Sequence, residues 1–412
     1  MEKVLTAMSG GVDSSVAAWL IHEGGYYGEG ATMVLYSGSD DKGFANGPHS
    51  ADGSHSADGL HSADGSHSAD GSHSAYIENA RDAARRIGIP FSICDFSEAF
   101  GKYVISRFIR EYTLGATPNP CVDCNKHIKF GRFLEHALKS GFDKMATGHY
   151  AQVTCVNGRF LLSKGSDISK DQSYMLYTLT QGKLSRIVLP LGGLRKSEVR
   201  EIALGQGFAG AGGRESQDIC FVPDGDYSSF IESRNVSQRG DDDGLAEAGA
   251  VNYDNAAPKP GRFIDTDGND LGTHRGVHHY TIGQRRGLGI PAAHSLYVCA
   301  IDPVANTVTL GSNESLFSKE LFVHDINLIA ADRLDAPLRA TAKIRYRQTE
   351  QAATVWQLEE DVLRIEFDQN QRALTKGQAA VLYDGNTVIG GGTIFKVGGR
   401  NPYDEPFSSA NS

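Results

Sequence analysis

The 412-residue chain contains no apolar run near the roughly 18 residues that a membrane-crossing helix needs. Its start, MEKVLTAMSGG, lacks a basic flank and a small-residue cleavage pattern, so no leader and no membrane partner are expected and the cytoplasm is the expected location. Cysteine is scarce. Six are scattered through the chain (Cys94, Cys121, Cys124, Cys155, Cys220 and Cys299), too few for a disulfide scaffold, which leaves reactive thiols or metal ligation as their roles. Positive charge is also short, with 40 Lys and Arg against 50 Asp and Glu. A net charge of −10 argues at first sight against a polyanionic partner, yet six Asp and a single Lys fall between Ser37 and Tyr76. Half of the excess therefore sits in one segment, and the remainder can carry basic patches. Hydrophobic residues at 40% and charged residues at 22% are an ordinary globular balance, and at about 150 residues per domain the length implies two or three domains.

The acidic segment repeats G-S-H-S-A-D with a period of six between residues 48 and 75, spacing His49, His55, His61, His67 and His73 beside Asp52, Asp58, Asp64 and Asp70. With no bulky apolar position in the period it cannot bury a face, and residues 38–75 read as a disordered surface insertion. The insertion is either a tandem expansion in a permissive loop or a weak array of metal-binding imidazoles.

Elsewhere, residues 1–205 alternate strands and helices. LTAM, GATMVLY, FSICDF and DKMATGHYAQV read as extended, and SSVAAWLIHEG, ENARDAARRIG, KYVISRFIREYTLG and KFGRFLEHALKSG as helical. Such alternation implies an α/β fold with a doubly wound parallel sheet. Residues 206–275, rich in Gly and Asp, read as a small central domain. Residues 276–400 hold short strands split by turns (HHYTIGQ, SLYVCAI, NTVTLG, RATAKIRYRQ and others), as in a compact antiparallel β-barrel or sandwich. Residues 401–412 read as a tail.

Directly after the first strand comes Ser9-Gly10-Gly11-Val12-Asp13-Ser14-Ser15, and then a helix. Glycines let backbone N–H groups close around an anion, serine hydroxyls add donors, and the helix N-terminus adds partial positive charge, so the loop suits phosphate. It lacks the lysine of G-x-x-x-x-G-K-[ST]. Asp13 would repel a phosphate unless a cation intervened, so Mg²⁺ is expected there. A tight turn with Asp13 as a cap would explain the Gly and Asp but not the density of serines. The SGGVDSS stretch resembles the PP-loop of ATP pyrophosphatases, which split ATP to AMP and pyrophosphate while adenylating a substrate oxygen.

Thr117-Pro118-Asn119-Pro120-Cys121-Val122-Asp123-Cys124-Asn125 reads as a stiff loop, each proline fixing itself and its predecessor. A zinc site on this C-x-x-C would want a second close pair, absent outside the repeat. A redox pair fits a nucleotide-binding domain poorly. Cys220 lies in the polar stretch ESQDICF, whereas Cys94, Cys155 and Cys299 lie in apolar strand-like runs and read as small buried hydrophobes.

Taken in order, TPNPCVDCNKHIKFG, ATGHYA, KDQSYMLYTL, ESQDICF, YTIGQRRGLGI and KIRYRQT resemble the tRNA-specific 2-thiouridylases over nearly the whole chain outside the insertion. The resemblance implies an N-terminal PP-loop domain, a C-terminal tRNA-binding β-barrel, and ATP-dependent thiolation of a wobble uridine in the anticodon loop. Adenylation turns the uridine 2-oxygen into a leaving group that sulfur displaces. By motif position, Ala7, Met8, Ser9, Gly10, Gly11, Val12, Asp13 and Ser14 cradle ATP, with Met33 and Gly148 also at the nucleotide. Cys220 would carry a persulfide loaded by a cysteine desulfurase or a sulfur-relay carrier. Cys124 would be the second thiol, closing a disulfide with Cys220 as sulfur leaves. Lys126, Lys129 or the following helix start would lower the thiol pKa from about 8.5 towards 7. Asn119, Pro120 and Cys121 are assigned to the target base, although Cys121 equally reads as a bystander. Lys170, Asp171, Gln172, Arg345 and Tyr346 are assigned to tRNA, joined by Arg285 and Arg286. Taken alone, these basic residues would read as a solvated face. His149 reads either as a site residue or as a packed histidine. Two other readings stand beside this one: a PP-loop amide-forming ligase acting on a small metabolite, and a non-catalytic RNA-binding protein.

Overall fold

A computed structural model describes residues 1–36, 71–209, 219–222, 225–237 and 259–398. The bulk of the His/Asp repeat lies outside these residues. Its last unit does not, because helix α2 begins at Gly71 and continues the amphipathic ENARDAARRI segment upstream.

The first unit is built on five parallel strands in the order β3-β2-β1-β4-β7: β1 (Lys3–Ala7), β2 (Tyr27–Val34), β3 (Phe91–Asp95), β4 (Lys144–Ala146) and β7 (Ile187–Val188). These are short apolar runs buried on both faces, as parallel strands require. Small residues let helices α1 (Val12–Glu23), α2 (Gly71–Ile87) and α8 (Lys196–Gly205) pack closely, with Val16, Ala17 and Ala18 against Ala80, Ala83, Ala84, Val199 and Ala203. The winding reverses between β1 and β4, so the loops leaving their C-terminal ends part to form a crevice, the usual ligand position in an open α/β sheet.

Two helical stretches flank the crevice. One joins α3 (Ser97–Phe100) to α4 (Ser106–Thr113) through a π-helical segment, Gly101–Ile105. The other runs α5 (Pro120–Asp123), a π-helical segment Cys124–Phe133, and α6 (Leu134–Lys139). Cys121 and Cys124 are therefore helical, not in a loop. Proline is the reason: Pro120 stands at the first helical position, where its missing N–H costs nothing, behind an extended Asn119 (φ −115°, ψ 91°). Wide turns of this kind are rare and concentrate at functional sites.

Strands β5 (Ala151–Val156) and β6 (Arg159–Lys164) form a hairpin across Asn157 and Gly158, both in the left-handed region (φ 50° and 82°). The hairpin reaches out of the first unit and pairs with the barrel at Ser163↔Thr387. Short helix α7 (Gln181–Leu184) follows it, and α9 (Tyr227–Ser237) follows Cys220.

The central unit is a four-stranded sheet, β10-β11-β8-β9, made of β8 (Gly261–Ile264), β9 (Asp270–His274), β10 (Tyr297–Asp302) and β11 (Thr307–Gly311). It straddles residue 275, where a domain boundary was expected. The parallel pairing of β11 with β8 (Val308↔Phe263) joins segments distant in sequence. HHYTIGQ is not a strand either: Gly276 at φ 136° turns the chain, and Val277–His279 form a single 3₁₀ turn.

The last unit is a closed six-stranded antiparallel barrel of β12 (Phe317–Leu328), β13 (Leu338–Lys343), β14 (Gln351–Glu359), β15 (Val362–Arg372), β16 (Ala379–Asp384) and β17 (Thr387–Val397). Long β12 pairs with both β15 and β17 and so shuts the sheet. Gly390 permits the closure, since a Cβ there would lie 2.3 Å from the Asn327 carbonyl oxygen. RATAKIRYRQ is a strand only as far as Lys343. Arg345–Gln348 turn, with the Gln348 N–H donating to the Arg345 carbonyl at 3.1 Å.

Candidate active site

The glycine loop lies at the C-terminal end of β1, at the switch in strand order. Ala7 and Met8 are buried, and Met8 is fixed by its N–H to the Ala31 carbonyl (2.8 Å) and by the Thr32 hydroxyl donating to its own carbonyl (2.6 Å). The turn that follows is held from inside. Ser9 N–H donates to Ser14 Oγ at 3.0 Å, and the Ser14 and Ser15 hydroxyls donate to the Gly11 carbonyl at 2.9 and 3.1 Å. Gly10 takes φ 74°, and a Cβ on it would meet the Tyr76 carbonyl oxygen at 2.2 Å, so no other residue fits. Ser9 and Gly11 are exposed at the mouth, above first-turn N–H groups that have no intrahelical acceptor. That is an anion cradle.

Asp13 does not fit Mg²⁺. Both of its carboxylate oxygens lie 2.7 Å from Lys196 Nζ, and the Tyr150 hydroxyl donates to Oδ1 at 2.8 Å. The counter-charge expected from a metal is supplied by a buried lysine of α8, and among the described residues no group of three ligating side chains includes Asp13. Tyr150 is held in turn by Gln172, whose Oε1 accepts its N–H at 3.0 Å. Nothing in LRKSEV marks Lys196 as different from a surface lysine at a helix start.

Gly148 stands where close approach is needed. A Cβ there would lie 2.8 Å from the Asp13 carbonyl carbon, 2.9 Å from its oxygen and 3.0 Å from Ser14 N. Its bareness thus lets the strand β4 loop rest on the glycine loop's own backbone. The adjacent His149 is a packed histidine: its Nδ1 lies 2.7 Å from Thr147 Oγ1, its ring 5.6 Å from that of Phe130, and burial holds it neutral, well below its ordinary pKa. Met33 lies at the end of β2, packed against the core under the sheet and against the cluster that holds Cys124.

The structure brings Cys121, Cys124 and Cys220 near one another. Cys124 is buried in a cluster with Phe100, Phe108 and Ile128, and the residues flanking Cys220, namely Ile219, Phe221 and Val222, pack into the same cluster. Their charges interact: Cys220 raises Cys124, and Cys121 raises both. All three are free among the described residues. Lys129 opposes this, its charge pulling Cys121, Cys124 and Cys220 down. Desolvation prevails nonetheless and pushes Cys124 up to about 12, with Cys121 and Cys220 also raised although both reach the surface. The expected lowering of the thiol pKa is therefore overturned in the free protein, because burial outweighs one lysine. The Lys129 charge also lowers His149, beside Gly148.

Asp123, between the two cysteines, is buried and raised to about 6, burial outweighing Arg107 at 3.5 Å. Arg107, Pro118, Asn119, Asp123 and Tyr177 line a cavity of about 20 Å³, room for one water. The TPNP segment leaving this cavity is strapped to the barrel. Gln378 Nε2 donates to the Thr117 carbonyl at 2.7 Å and the Pro118 carbonyl at 3.4 Å, and Thr117 N–H donates to the Lys376 carbonyl at 2.8 Å. On the other side Asn125 Nδ2 donates to the Met175 carbonyl at 3.1 Å, and Asn119 Nδ2 lies 3.6 Å from Met175 Sδ.

Several residues expected at RNA are engaged within the chain. Asp171 is buried and accepts from Gly165 N–H and Ser173 N–H (both 3.1 Å) and from the Ser173 hydroxyl (2.9 Å), while Gln172 braces Tyr150. Arg345 donates to the Ala373 carbonyl and the Thr375 hydroxyl, and Tyr346 packs 6.1 Å from the Tyr174 ring. Lys170 lies beside Asp171 in the turn, and Arg285 and Arg286 are exposed on the central unit. Cys94 is buried, but Cys155 is exposed and Cys299 half-buried: the whole end of β5 from Thr154 to Val156 is exposed at the tip of the hairpin.

The chain matches three families in order: the tRNA methyl transferase HUP domain over residues 2–224, the tRNA methyl transferase PRC-barrel domain over 253–312, and the aminomethyltransferase β-barrel domain over 318–394. It is 43% identical over 397 residues to the tRNA-specific 2-thiouridylase MnmA of Clostridioides difficile, covering 96% of this chain and 98% of that protein. With MnmA 2 of Clostridium tetani it shares 42% over 393 residues, covering 95% and 98%. Among solved structures, the U34-tRNA thiolase NcsA of Methanococcus maripaludis is similar at 17% identity and a TM-score of 0.31, covering 58% of this chain and 67% of that one. The parallel sheet with its glycine loop, the clustered thiols and the closed barrel are thus the frame of a known group, and this chain belongs to the family of the tRNA-specific 2-thiouridylases.

Proposed function

We propose that this protein replaces the 2-oxygen of the wobble uridine of tRNA with sulfur, spending ATP. The observation that carries the reading is the convergence of Cys124 with the residues flanking Cys220 in one cluster, where Lys129 acts on both thiols. A uracil carbonyl oxygen is a poor leaving group. Attack of that oxygen on the α-phosphorus of ATP expels pyrophosphate and leaves AMP attached at C2. The outer sulfur of a persulfide on Cys220 then bonds to C2 as AMP departs. The Cys124 thiolate attacks Cys220 Sγ, 2-thiouridine is released, and the resulting Cys124–Cys220 disulfide is opened by an external thiol. The persulfide itself comes from a cysteine desulfurase or a sulfur-relay carrier. Any divalent cation that accompanies ATP is held by the phosphates, since Asp13 is committed to Lys196. Stabilising the Cys124 thiolate falls to Lys129 and to the change in surroundings when the anticodon loop arrives.

The test is thiolation of tRNA lacking 2-thiouridine, read by mass spectrometry of its nucleosides, with wild type, Cys124→Ser and Cys220→Ser. Both variants are expected to lose the oxygen-to-sulfur mass shift, while ATP–pyrophosphate exchange remains and requires tRNA. Full thiolation by either variant would refute the sulfur route, and exchange driven by a small metabolite without tRNA would favour the amide-forming ligase.

A further inference from the structure

We infer that Glu232, His278 and His279 form a Zn²⁺ site that clamps helix α9 to the central unit. Both imidazole Nε2 atoms converge on one carboxylate oxygen, Glu232 Oε1, at 3.3 Å from His278 and 2.9 Å from His279. All three ligating atoms lie within 4.8 Å of one another. Two ligands at about 2.05 Å from zinc in a tetrahedral arrangement stand about 3.3 Å apart, so the three groups are already gathered within reach of one ion, although the 2.9 Å pair is at hydrogen-bond distance. The cage is rigid on the histidine side, where the two side chains are 1% and 6% exposed and their rings pack 4.2 Å apart at a 45° tilt. On the other side the Glu232 side chain is 49% exposed, and it can draw back by about an ångström to admit the ion and leave a fourth position to water.

The chemistry of the donors fits as well. Zinc takes neutral imidazole, which offers one ring nitrogen as a ligand while the other keeps its proton. Two histidines and a carboxylate are a borderline-soft set that suits Zn²⁺ rather than Mg²⁺ or Ca²⁺. Without an ion, two buried rings share a single carboxylate oxygen and His279 Nδ1 is left buried with no partner among the described residues.

The site sits where the clamp has an effect. Helix α9 follows the Cys220 segment, and its Phe230 and Ile231 pack with Phe221 in the cluster that contains Cys124. Tyr227 stacks on Tyr112 of α4 at 4.7 Å, and α4 abuts the 277–279 turn. An ion at Glu232 would fix the far side of the Cys220 segment to the central unit.

Metal binding is measurable without any thiolation assay, so its outcome is separate from that of the proposed activity. The full chain should carry His49, His55, His61, His67 and His73 replaced by Ser, so that the repeat contributes no ligands. Titrated with Co²⁺, it is expected to show the intense visible absorption of a tetrahedral site at one ion per chain, displaced by Zn²⁺. Zn²⁺ is expected to raise its melting temperature and EDTA to reverse the rise. In Glu232→Gln and His279→Ala, Co²⁺ affinity should fall by about a hundredfold and the Zn²⁺-dependent rise should vanish, with the metal-free melting temperature of Glu232→Gln serving as the folding control. Equal Co²⁺ binding in parent and variants, or only the weak absorption of an octahedral ion, would overturn the assignment.

Discussion

Gly148 offers a sharp test of how the nucleotide loop is held. In Gly148→Ala the new methyl would meet three backbone atoms of Asp13 and Ser14 at 2.8 to 3.0 Å. Carbon needs about 3.5 Å, so one backbone must retreat by about half an ångström, and neither is the free end of a side chain. Overpacking of this kind costs about 1–3 kcal/mol, or about 2–10 °C in the melting temperature of a domain this size. The same half ångström misplaces the first-turn N–H groups, for which about a tenfold loss in ATP affinity is expected. Calorimetric ATP binding and thermal unfolding measure the two effects. Gly205→Ala is the control, because Gly205 ends helix α8 with nothing within 4 Å of its missing Cβ, and the substitution should be neutral or slightly stabilising. If Gly148→Ala bound ATP and melted as Gly205→Ala does, the contact between the two loops would have no part in shaping the site.

Two further outcomes follow from the thiol cluster. With its pKa near 12, Cys124 in the free protein should react with iodoacetamide at pH 7.5 at least about a hundredfold more slowly than an ordinary thiol; tRNA and ATP together should remove most of that protection, and peptide mass spectrometry would show whether they do. Asp123 is an acid whose folded pKa, about 6, is raised, so its protonated form favours folding and the wild type loses stability as pH climbs from about 4 to 6. Asp123→Asn does not titrate, and over that window its stability relative to wild type should improve by about 2–3 kcal/mol; denaturant melts showing a pH-independent difference would contradict the burial argument.

What could be read from the sequence was what local chemistry fixes. The SGGVDSS turn and the alternation that makes a parallel sheet each depend on a few consecutive residues, and both appear in the structure, whereas the polar residues before Cys220 lie outside the described residues. What could not be read depends on partners far along the chain. Lys196 reaches Asp13 across 183 positions, and Gln378 reaches Thr117 across 261. The central unit extends to Gly311 because β11 lies beside β8, a pairing with no local signature. Charge alone misled at Asp13, where the need for a cation was legible but the choice between metal and lysine was not. It misled again at Cys124, where a nearby lysine was visible but the depth of burial was not.

The strap between the barrel and the TPNP segment ties two tasks together. Lys376 and Gln378, in the turn just before the barrel strand β16, hold the carbonyl and N–H groups just upstream of Cys121. If the barrel carries tRNA, then the element that receives the substrate also sets the position of the helix bearing Cys121 and Cys124. Gln378→Ala removes two hydrogen bonds to the strap at a cost of about 1 kcal/mol each, with no contact to Asp13, Gly148 or Lys196. Thiolation should therefore fall by about tenfold through kcat while ATP affinity stays at the wild-type value. A parallel fall in ATP affinity would mean that the strap supports the whole fold, and unchanged thiolation would mean that the helix at Pro120 holds its place without the barrel.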